Sequence, residues 1–367
     1  MAKCDLQIVF DRDDRTYLIG QKIAGSVRVT AKEDCVCRKL TIASHWCASG
    51  HGTTDQGQPE EEQTLFSGAW RAGETAAHPF EISAPPGPVT YRGALFNVGW
   101  QIRALADVAG IEATASEDFV LLPGQRSENL PPGTLDELPP QVTELIDKPA
   151  GSYAGGCSQV FAILFGVVAL FVGLPCLAIG VLNLITFYIQ VSLPISIPTG
   201  LVQSIFLIAV GGLFTSLGTR AFITLLHAAV ARSRLGAIDV EVSPTPLRPG
   251  ESVTCAVRLQ PRGSIKLTEA TAKITATEYA IGRTGNADGA ITQTLKQVVH
   301  QSSATMVTER TIRGGESAVL TAVLNIPPDA PCTFWGGNNK LIWTLVVEIK
   351  MKRWPDWSQS IPLTVRP

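Results

Sequence analysis

A single uncharged stretch constrains this chain more than any other feature. Residues 149–219 contain no Asp, Glu, Lys, Arg or His, a run of 71 residues. Two apolar parts of this region, 160–184 and the run from 201 to 217 that continues through Arg220 to residue 226, are each long enough to cross the roughly 30 Å hydrocarbon core of a bilayer as a helix. Residues 192–200 between them contain proline and glycine, which is typical of a turn. The run therefore predicts a transmembrane hairpin over residues 157–230, with a buried hairpin of a soluble core as the alternative.

The charges on either side of the run predict the orientation of this hairpin. Lys148 precedes the run, and Arg220, Arg232 and Arg234 follow it, whereas the turn has no charge. Because positive residues favour the cytoplasmic side, we expect both ends of the hairpin there. Arg220 either marks the membrane interface, which a full span over 201–219 favours, or lies inside the membrane as a functional charge.

The rest of the chain has the composition of ordinary globular domains. The other 296 of the 367 residues carry all 62 charged residues, or 21%, which argues against disorder and against a polytopic transporter. Net charge is −8 over residues 1–148 and +6 over residues 220–367. The acidic half argues against a nucleic-acid binder, and the basic half favours an anionic surface. The start lacks the apolar segment of a signal peptide, so we expect the N-terminal region to stay in the cytoplasm. The eight cysteines are scattered and do not form a disulfide framework, which fits a reducing compartment. We therefore expect an integral two-pass membrane protein with both termini cytoplasmic.

Both regions that flank the hairpin are rich in predicted strands. Short β-prone segments such as 6–10, 25–29 and 100–104 are separated by Gly, Pro and Asp turn signals, which predicts β-sandwiches. The predicted fold class is all-β, with two immunoglobulin-like β-sandwiches separated by a two-helix transmembrane hairpin. The expected segments are an N-terminal sandwich (1–125), a proline-rich linker (126–156), the hairpin (157–230) and a C-terminal sandwich (235–367).

The two flanking regions also repeat one another. Short matches recur in the same order, at offsets that drift only from 230 to 244 residues. The matched segments are 20–23 with 250–253, 27–29 with 257–259, 73–75 with 315–317, 85–86 with 327–328, 90–93 with 333–336, Trp100 with Trp343, and 121–123 with 365–367. Two homologous sandwiches with the hairpin inserted between them are the simplest account, so Trp100 and Trp343 are expected on equivalent strands.

These residues carry a family resemblance. Residues 17–27 follow the pattern G-[EQ]-x-[IV]-x-G-x-[IV], and each half closes with the series G-E-x, P-F-x-I, P, [ST]-[YF]-x-G and W-x-[IL]. The chain thereby resembles the arrestin-like family and is similar to arrestins, alpha-arrestins, the retromer cargo-adaptor subunit and the sporulation-control protein. The resemblance implies two arrestin-like β-sandwiches and a non-enzymatic role. The inserted hairpin departs from the family, in which the two domains follow one another directly.

The sequence lacks the motifs of common catalytic sites. We find no nucleophile elbow, no phosphate-binding loop, no His-Glu-x-x-His and no dinucleotide-binding glycine pattern, so we expect neither enzyme activity nor a cofactor. One group resembles a metal site, because the thiolates of Cys35, Cys37 and Cys47 with the imidazole of His51 would suit zinc. Its spacing does not match a known zinc site, so we favour ordinary buried thiols and expect no metal.

Residues 350–357, which we call the basic tip, lie between two predicted strands and contain three cations and two indoles. Such a tip can pair with anionic headgroups while tryptophan sits at the interface. The alternative is a solvated turn with its tryptophans packed under the sandwich. The candidate residues for contact with the membrane or a partner are Lys350, Lys352, Arg353, Trp354 and Trp357.

The interpretation that the sequence favours is a non-enzymatic, membrane-anchored adaptor or scaffold whose cytoplasmic sandwiches bind another protein, for instance by β-strand addition. The alternative is an integral subunit of a membrane complex with a sensing or gating role, in which glycines of the hairpin allow close approach of partner helices. A hydrolase or transferase ranks third. The expected partners are proteins and the lipid bilayer, without nucleic acid or a small-molecule substrate.

Overall fold

A computed structural model describes residues 3–108, 111–124, 157–190, 199–284 and 291–367. Within these ranges the chain forms ten strands, then two helices, then eight strands. The predicted fold class, with a β-sandwich on each side of a two-helix hairpin, is confirmed. The linker expected over 126–156 and most of the expected turn lie outside the described residues.

The N-terminal sandwich packs two sheets around one core. One sheet has the order β1–β3–β7, and the other has the order β2–β10–β9–β4, with β5 and β6 paired to β4 and β8 paired to β9. Burial alternates along the strands, as it does where one face of a sheet covers a core and the other meets water. The strands are β1 (Cys4–Phe10), β2 (Thr16–Leu18), β3 (Lys22–Ala31), β4 (Cys35–Gly50), β5 (Asp55–Gln56), β6 (Glu60–Trp70), β7 (Thr75–Ser83), β8 (Tyr91–Arg92), β9 (Phe96–Val108) and β10 (Ile111–Leu122).

The C-terminal sandwich has the matching topology. Its sheets have the orders β11–β12–β15 and β14–β13–β17–β16, with β18 paired to β17. Even the short parallel pairing of β2 with β10 has a counterpart in the parallel bridge between Leu247 and Val365. The strands are β11 (Ala237–Ser243), β12 (Ser252–Gln260), β13 (Ile265–Thr284), β14 (Ile291–Ile312), β15 (Ala318–Asn325), β16 (Phe334–Trp335), β17 (Asn339–Met351) and β18 (Trp357–Leu363).

The repeat extends to single hydrogen bonds in the two cores. Trp100 on β9 and Trp343 on β17 are both buried, as a repeat of equivalent strands predicts. Each indole N–H donates to a carbonyl twelve residues upstream, that of Pro88 at 2.5 Å and that of Pro331 at 2.9 Å. The same side-chain contact thus anchors the loop before the central strand in each sandwich.

Two helices, α1 (Cys157–Gln190) and α2 (Thr199–Leu235), form the hairpin. Both are long and apolar enough to cross a membrane. They approach closely where glycine leaves room, because a Cβ on Gly211 would meet the Leu177 nitrogen at 2.5 Å and the Gly173 carbonyl at 2.9 Å. Large apolar side chains such as Phe171 and Phe206 face outward, which suits a lipid surface.

Helix α2 runs directly into the C-terminal sandwich. Ala231 and Leu235 belong to the core of that sandwich. The helix ends at Leu235, and the left-handed backbone of Gly236 (φ 72°) lets the Gly236 N–H donate to the Arg232 carbonyl at 3.0 Å. A single residue therefore separates α2 from β11, and this sandwich is mounted directly on the helix.

Candidate functional site

The two sandwiches meet at a domain interface built from the same loop of each repeat. In the N-terminal sandwich this loop is the turn between β8 and β9, and in the C-terminal sandwich it is the turn between β16 and β17. Both turns follow the Thr-aromatic-x-Gly segments that match in the sequence. Each turn directs peptide N–H groups at a carboxylate of the other sandwich.

Glu278, on β13 of the C-terminal sandwich, is the acceptor for the N-terminal turn. It is fully buried (0% exposed). The peptide N–H groups of Ala94 and Leu95 donate to its carboxylate at 3.1 and 2.7 Å, and the Tyr91 hydroxyl donates to it as well. Three neutral donors from one sandwich therefore satisfy a buried charge of the other.

Asp55, on β5 of the N-terminal sandwich, is the acceptor for the C-terminal turn. Asp55 is buried, at 8% exposure. The peptide N–H groups of Asn338 and Asn339 donate to it at 2.9 and 2.8 Å, and both asparagine amides donate to it at 2.9 Å. The Asn339 amide also donates to the Thr53 carbonyl at 2.8 Å, so this side chain binds the short segment that leads into β5 at two points.

Glycine permits both contacts. Gly93 and Gly336 occupy equivalent positions in the two repeats. A Cβ on Gly93 would collide with the Glu278 carboxylate, and a Cβ on Gly336 would lie 2.6 Å from an Asp55 oxygen. The glycine of the repeated motif is thus explained by the close approach of each turn to the opposite carboxylate.

An aromatic cluster fills the space beside the carboxylates. The Phe334 ring lies 5.5 Å from both the Trp46 and the Phe96 ring centroids, and Tyr91 lies 5.7 Å from Phe96. Ala48, Phe96 and Val98 of the first sandwich belong to the same buried cluster as the core of the second. The interface is therefore continuous with a hydrophobic core, and burial strengthens its hydrogen bonds.

Burial also shifts the pKa values of two side chains at the interface. Burial and the hydrogen bond to Glu278 raise the pKa of Tyr91, so its hydroxyl remains a donor at physiological pH. Lys340 lies beside Asp55, with its Nζ 4.7 Å from the Trp335 ring centroid. Burial lowers the pKa of Lys340, and the Asp55 charge acts in the opposite direction. The polar groups of this interface join the two sandwiches.

The five candidate residues of the basic tip differ in exposure and in their contacts. Trp357 lies in the hydrophobic core at 6% exposure, so its indole does not reach the surface. Lys350 pairs with Glu269 at 3.0 Å, and this hydrogen bond raises the pKa of Lys350. Lys352 and Arg353 are exposed, and Trp354 is half-buried.

The four residues of the metal-like group do not converge. Cys35 and Cys37 lie at the start of β4, and Cys47 lies ten residues along the same strand, or roughly 33 Å. No group of three or more His, Cys, Asp or Glu side chains suited to a metal ion occurs among the described residues. Burial raises the pKa of Cys37 to about 11, so its thiol is protonated at neutral pH.

Sequence reasoning missed both carboxylates of the domain interface. The signal for Glu278 was present, since it is a charge inside the otherwise uncharged strand segment 274–277 and 279–282. The signal for Asp55 was weak, because an acidic residue in a polar loop is ordinary. The partner of each residue lies more than 180 positions away, which no local pattern reveals.

Comparison with known proteins gives a partial similarity to a solved structure. Neither a protein-family model nor a curated protein matches the chain. Among solved structures, the chain is similar to that of Spo0M, a sporulation control protein from Bacillus subtilis, at 17% identity and a TM-score of 0.27. The match covers 35% of this chain and 49% of the Spo0M chain. The assignment of two β-sandwiches therefore rests on the strand pairing described above.

Proposed function

We propose that this chain is a non-enzymatic, membrane-anchored adaptor or scaffold, in which the two packed sandwiches bind another protein on the cytoplasmic side. The domain interface is the observation that carries the proposal. Because Glu278 and Asp55 bond across it, both sandwiches must lie on the same side of any membrane. A hairpin of two spans between them satisfies this requirement, since it returns the chain to the side from which it left.

A difference between two equivalent edge strands supports protein binding. Strands β7 and β15 are edges of equivalent sheets, and their registers against β3 and β12 correspond. Strand β7 carries Pro79 and Glu81. Proline and charged residues are typical of edge strands, because they prevent pairing with a further strand. The equivalent positions of β15 are Thr321 and Val323, and Val323 is 59% exposed. The β15 edge thus lacks the protection that its counterpart has.

We therefore assign the β15 edge as the partner surface, where an extended segment of another protein adds a strand. Main-chain hydrogen bonds would supply affinity in this mode, and pockets for alternate side chains would supply specificity. The exposed side chains of Val319 and Val323 lie on one face of the strand and offer an apolar contact.

The test transfers the protected edge to β15. The double variant Thr321→Pro, Val323→Glu copies β7, so the chain itself shows that this sandwich fold accepts both residues. The full-length protein is purified in mild detergent, and co-purifying proteins are identified by mass spectrometry. We expect soluble partners with the wild type and their loss with the double variant. Thr254→Ala, which copies Ala24 on the adjacent central strand, is the matched control and should keep them. Equal recovery with the double variant would remove the β15 assignment.

We propose a second contact for the basic tip, with Lys352 and Arg353 facing the membrane surface or an acidic partner. Each cation near an anionic leaflet contributes about 1 kcal/mol, which would orient a domain that is already tethered. In nanodiscs, we expect slower hydrogen exchange at residues 351–355 with anionic than with neutral lipid. Charge reversal of both residues should abolish that difference, and equal exchange in both lipids would return the tip to a solvated turn.

The integral-subunit function stands as the second candidate because one glycine of the hairpin faces outward. A Cβ on Gly212 would meet nothing within 4 Å, so a partner helix would find room there. Co-purification of membrane proteins in a fixed ratio, unaffected by the β15 variant, would favour this candidate over the adaptor.

A further inference from the structure

A cleft lies where helix α2 meets the C-terminal sandwich. Its volume is about 420 Å³, and it is lined by Val230, Ser233, Arg234, Arg262, Gly263 and Trp354. We call it the junction cleft. It brings together the last turns of α2, the loop between β12 and β13 and the basic tip, which are three segments far apart in sequence.

Arg234 stacks on an aromatic ring within this cleft. Its guanidinium carbon lies 3.9 Å from the centroid of the Trp354 ring. On another side, one of its nitrogens lies 3.8 Å from the place where a Cβ of Gly263 would stand. A guanidinium stacked on an indole keeps the N–H groups along its edge free to donate, in a planar fork that matches phosphate oxygens.

The cleft is positively charged and lacks a competing anion. Arg262 adds a second, exposed guanidinium to the lining, and no carboxylate belongs to it. Among the described residues, neither Arg234 nor Arg262 forms an ion pair with an acidic side chain. Two unneutralised guanidinium groups beside an aromatic floor favour a dianionic ligand.

The length of α2 sets the height of the cleft above the membrane. From Thr199 to Arg234 the helix rises about 53 Å, at 1.5 Å per residue. A bilayer with its headgroups occupies about 40–45 Å. With Thr199 at the far surface, Arg234 stands about 10 Å above the near headgroups when α2 is upright, and a helix tilt of up to about 40° brings it down to their level.

We propose that the junction cleft binds the phosphate group of an anionic membrane lipid, with Arg234 and Arg262 as its donors and Trp354 as the floor. This inference rests on the proposed function, because it requires the hairpin to lie in a membrane. The lipid would fix the angle between the membrane and the sandwiches, since α2 and the C-terminal sandwich both contribute to the cleft.

The test measures lipid binding to the full-length protein in mild detergent by native mass spectrometry. The probes are short-chain phosphatidic acid, phosphatidylcholine with the same chains, and glycerol 3-phosphate. We expect one phosphatidic acid to bind selectively. Arg262→Ala should weaken this binding about ten- to hundredfold, as expected for the loss of charge-assisted hydrogen bonds. Arg262→Lys, which keeps the charge but not the fork, should give an intermediate loss.

A control variant removes charge elsewhere. Arg258→Ala acts on the outer face of the three-stranded sheet, where Arg258 pairs with Glu241, and should retain the bound lipid. Equal binding of phosphatidylcholine, or an equal loss in the Arg258 variant, would overturn the proposal in favour of a purely structural contact between Arg234 and Trp354. Glycerol 3-phosphate binding as tightly as the lipid would overturn the membrane source of the phosphate.

The lipid-binding test and the test of the adaptor function can fail independently. Arg262→Ala leaves the β15 edge intact, so the protein partners should be retained while the lipid is lost. Loss of the protein partners in the β15 variant, with the lipid retained, would support both proposals. A wild type that binds phosphatidic acid but no protein would contradict the adaptor alone.

Discussion

Glu278 is a buried charge whose donors all come from the other sandwich. Glu278→Gln keeps the shape but replaces one acceptor oxygen by an NH₂ group, which cannot accept from the Leu95 or the Ala94 N–H. We expect the free energy of unfolding to fall by about 1–3 kcal/mol, the cost of leaving buried groups unpaired. Hydrogen exchange at residues 94–95 should accelerate, which is measurable by mass spectrometry in detergent.

The matched control for this change is Glu269→Gln, nine residues earlier on the same strand. Glu269 is part of an exposed ion pair with Lys350. Such pairs contribute about 0–1 kcal/mol, so the control should shift thermal unfolding little and leave residues 94–95 protected. Equal effects of the two variants would mean that the domain interface does not depend on Glu278.

His78 gives the N-terminal sandwich a pH-dependent stability. Its ring lies 4.7 Å from the Phe66 ring centroid, and burial lowers its pKa below 6.5. The unfolded chain therefore binds the proton at a higher pH than the folded chain, and stability falls as the pH drops below about 6.5. His78→Phe keeps the aromatic packing and should reduce the fall in thermal midpoint between pH 7.5 and 5.5. It should not abolish it, since burial also lowers the pKa of His45. An unchanged pH slope would contradict this prediction.

At the scale of elements, the hairpin offers two adjacent glycines in opposite situations. A Cβ on Gly211 would meet α1, whereas one on Gly212 would meet open space. Gly211→Leu should destabilise the packing of the two helices by about 1–3 kcal/mol, as overpacking does, and lower the thermal midpoint in detergent. Gly212→Leu should leave the isolated protein unchanged. If Gly212→Leu releases a co-purifying membrane protein, the integral-subunit function gains support over the adaptor.

The elements could be predicted from sequence where their signals are local. Strands, turns and the apolar helices follow from composition and periodicity, and the repeat gave the equivalence of β9 with β17 through Trp100 and Trp343. The carboxylates of the domain interface could not be predicted in this way. Glu278 and Asp55 acquire their roles only when the two repeats pack, so the determining distances are those between sandwiches rather than along the chain.

For the molecule as a whole, the domain interface makes a prediction about topology. A reporter fused before Met1 and one fused after Pro367 should both indicate the cytoplasm, and a tag near Ser196 should be labelled only from outside the cell. The hydrogen bonds of Asp55 and Glu278 need both sandwiches on one side, and the basic residues that flank the hairpin favour the cytoplasmic side. Termini on opposite sides of the membrane would contradict both the hairpin and the packed pair.

The domain interface also has a consequence for biosynthesis. Phe96 of the first sandwich packs against Phe334, which the ribosome adds 238 positions later. At the usual 5–20 residues per second, the apolar surface around Phe96 stays uncovered for roughly 12–50 s, while the hairpin and most of the second sandwich are being synthesised. The nascent first sandwich must therefore remain soluble without its counterpart, and a chaperone that shields this patch would raise the yield of correctly assembled protein.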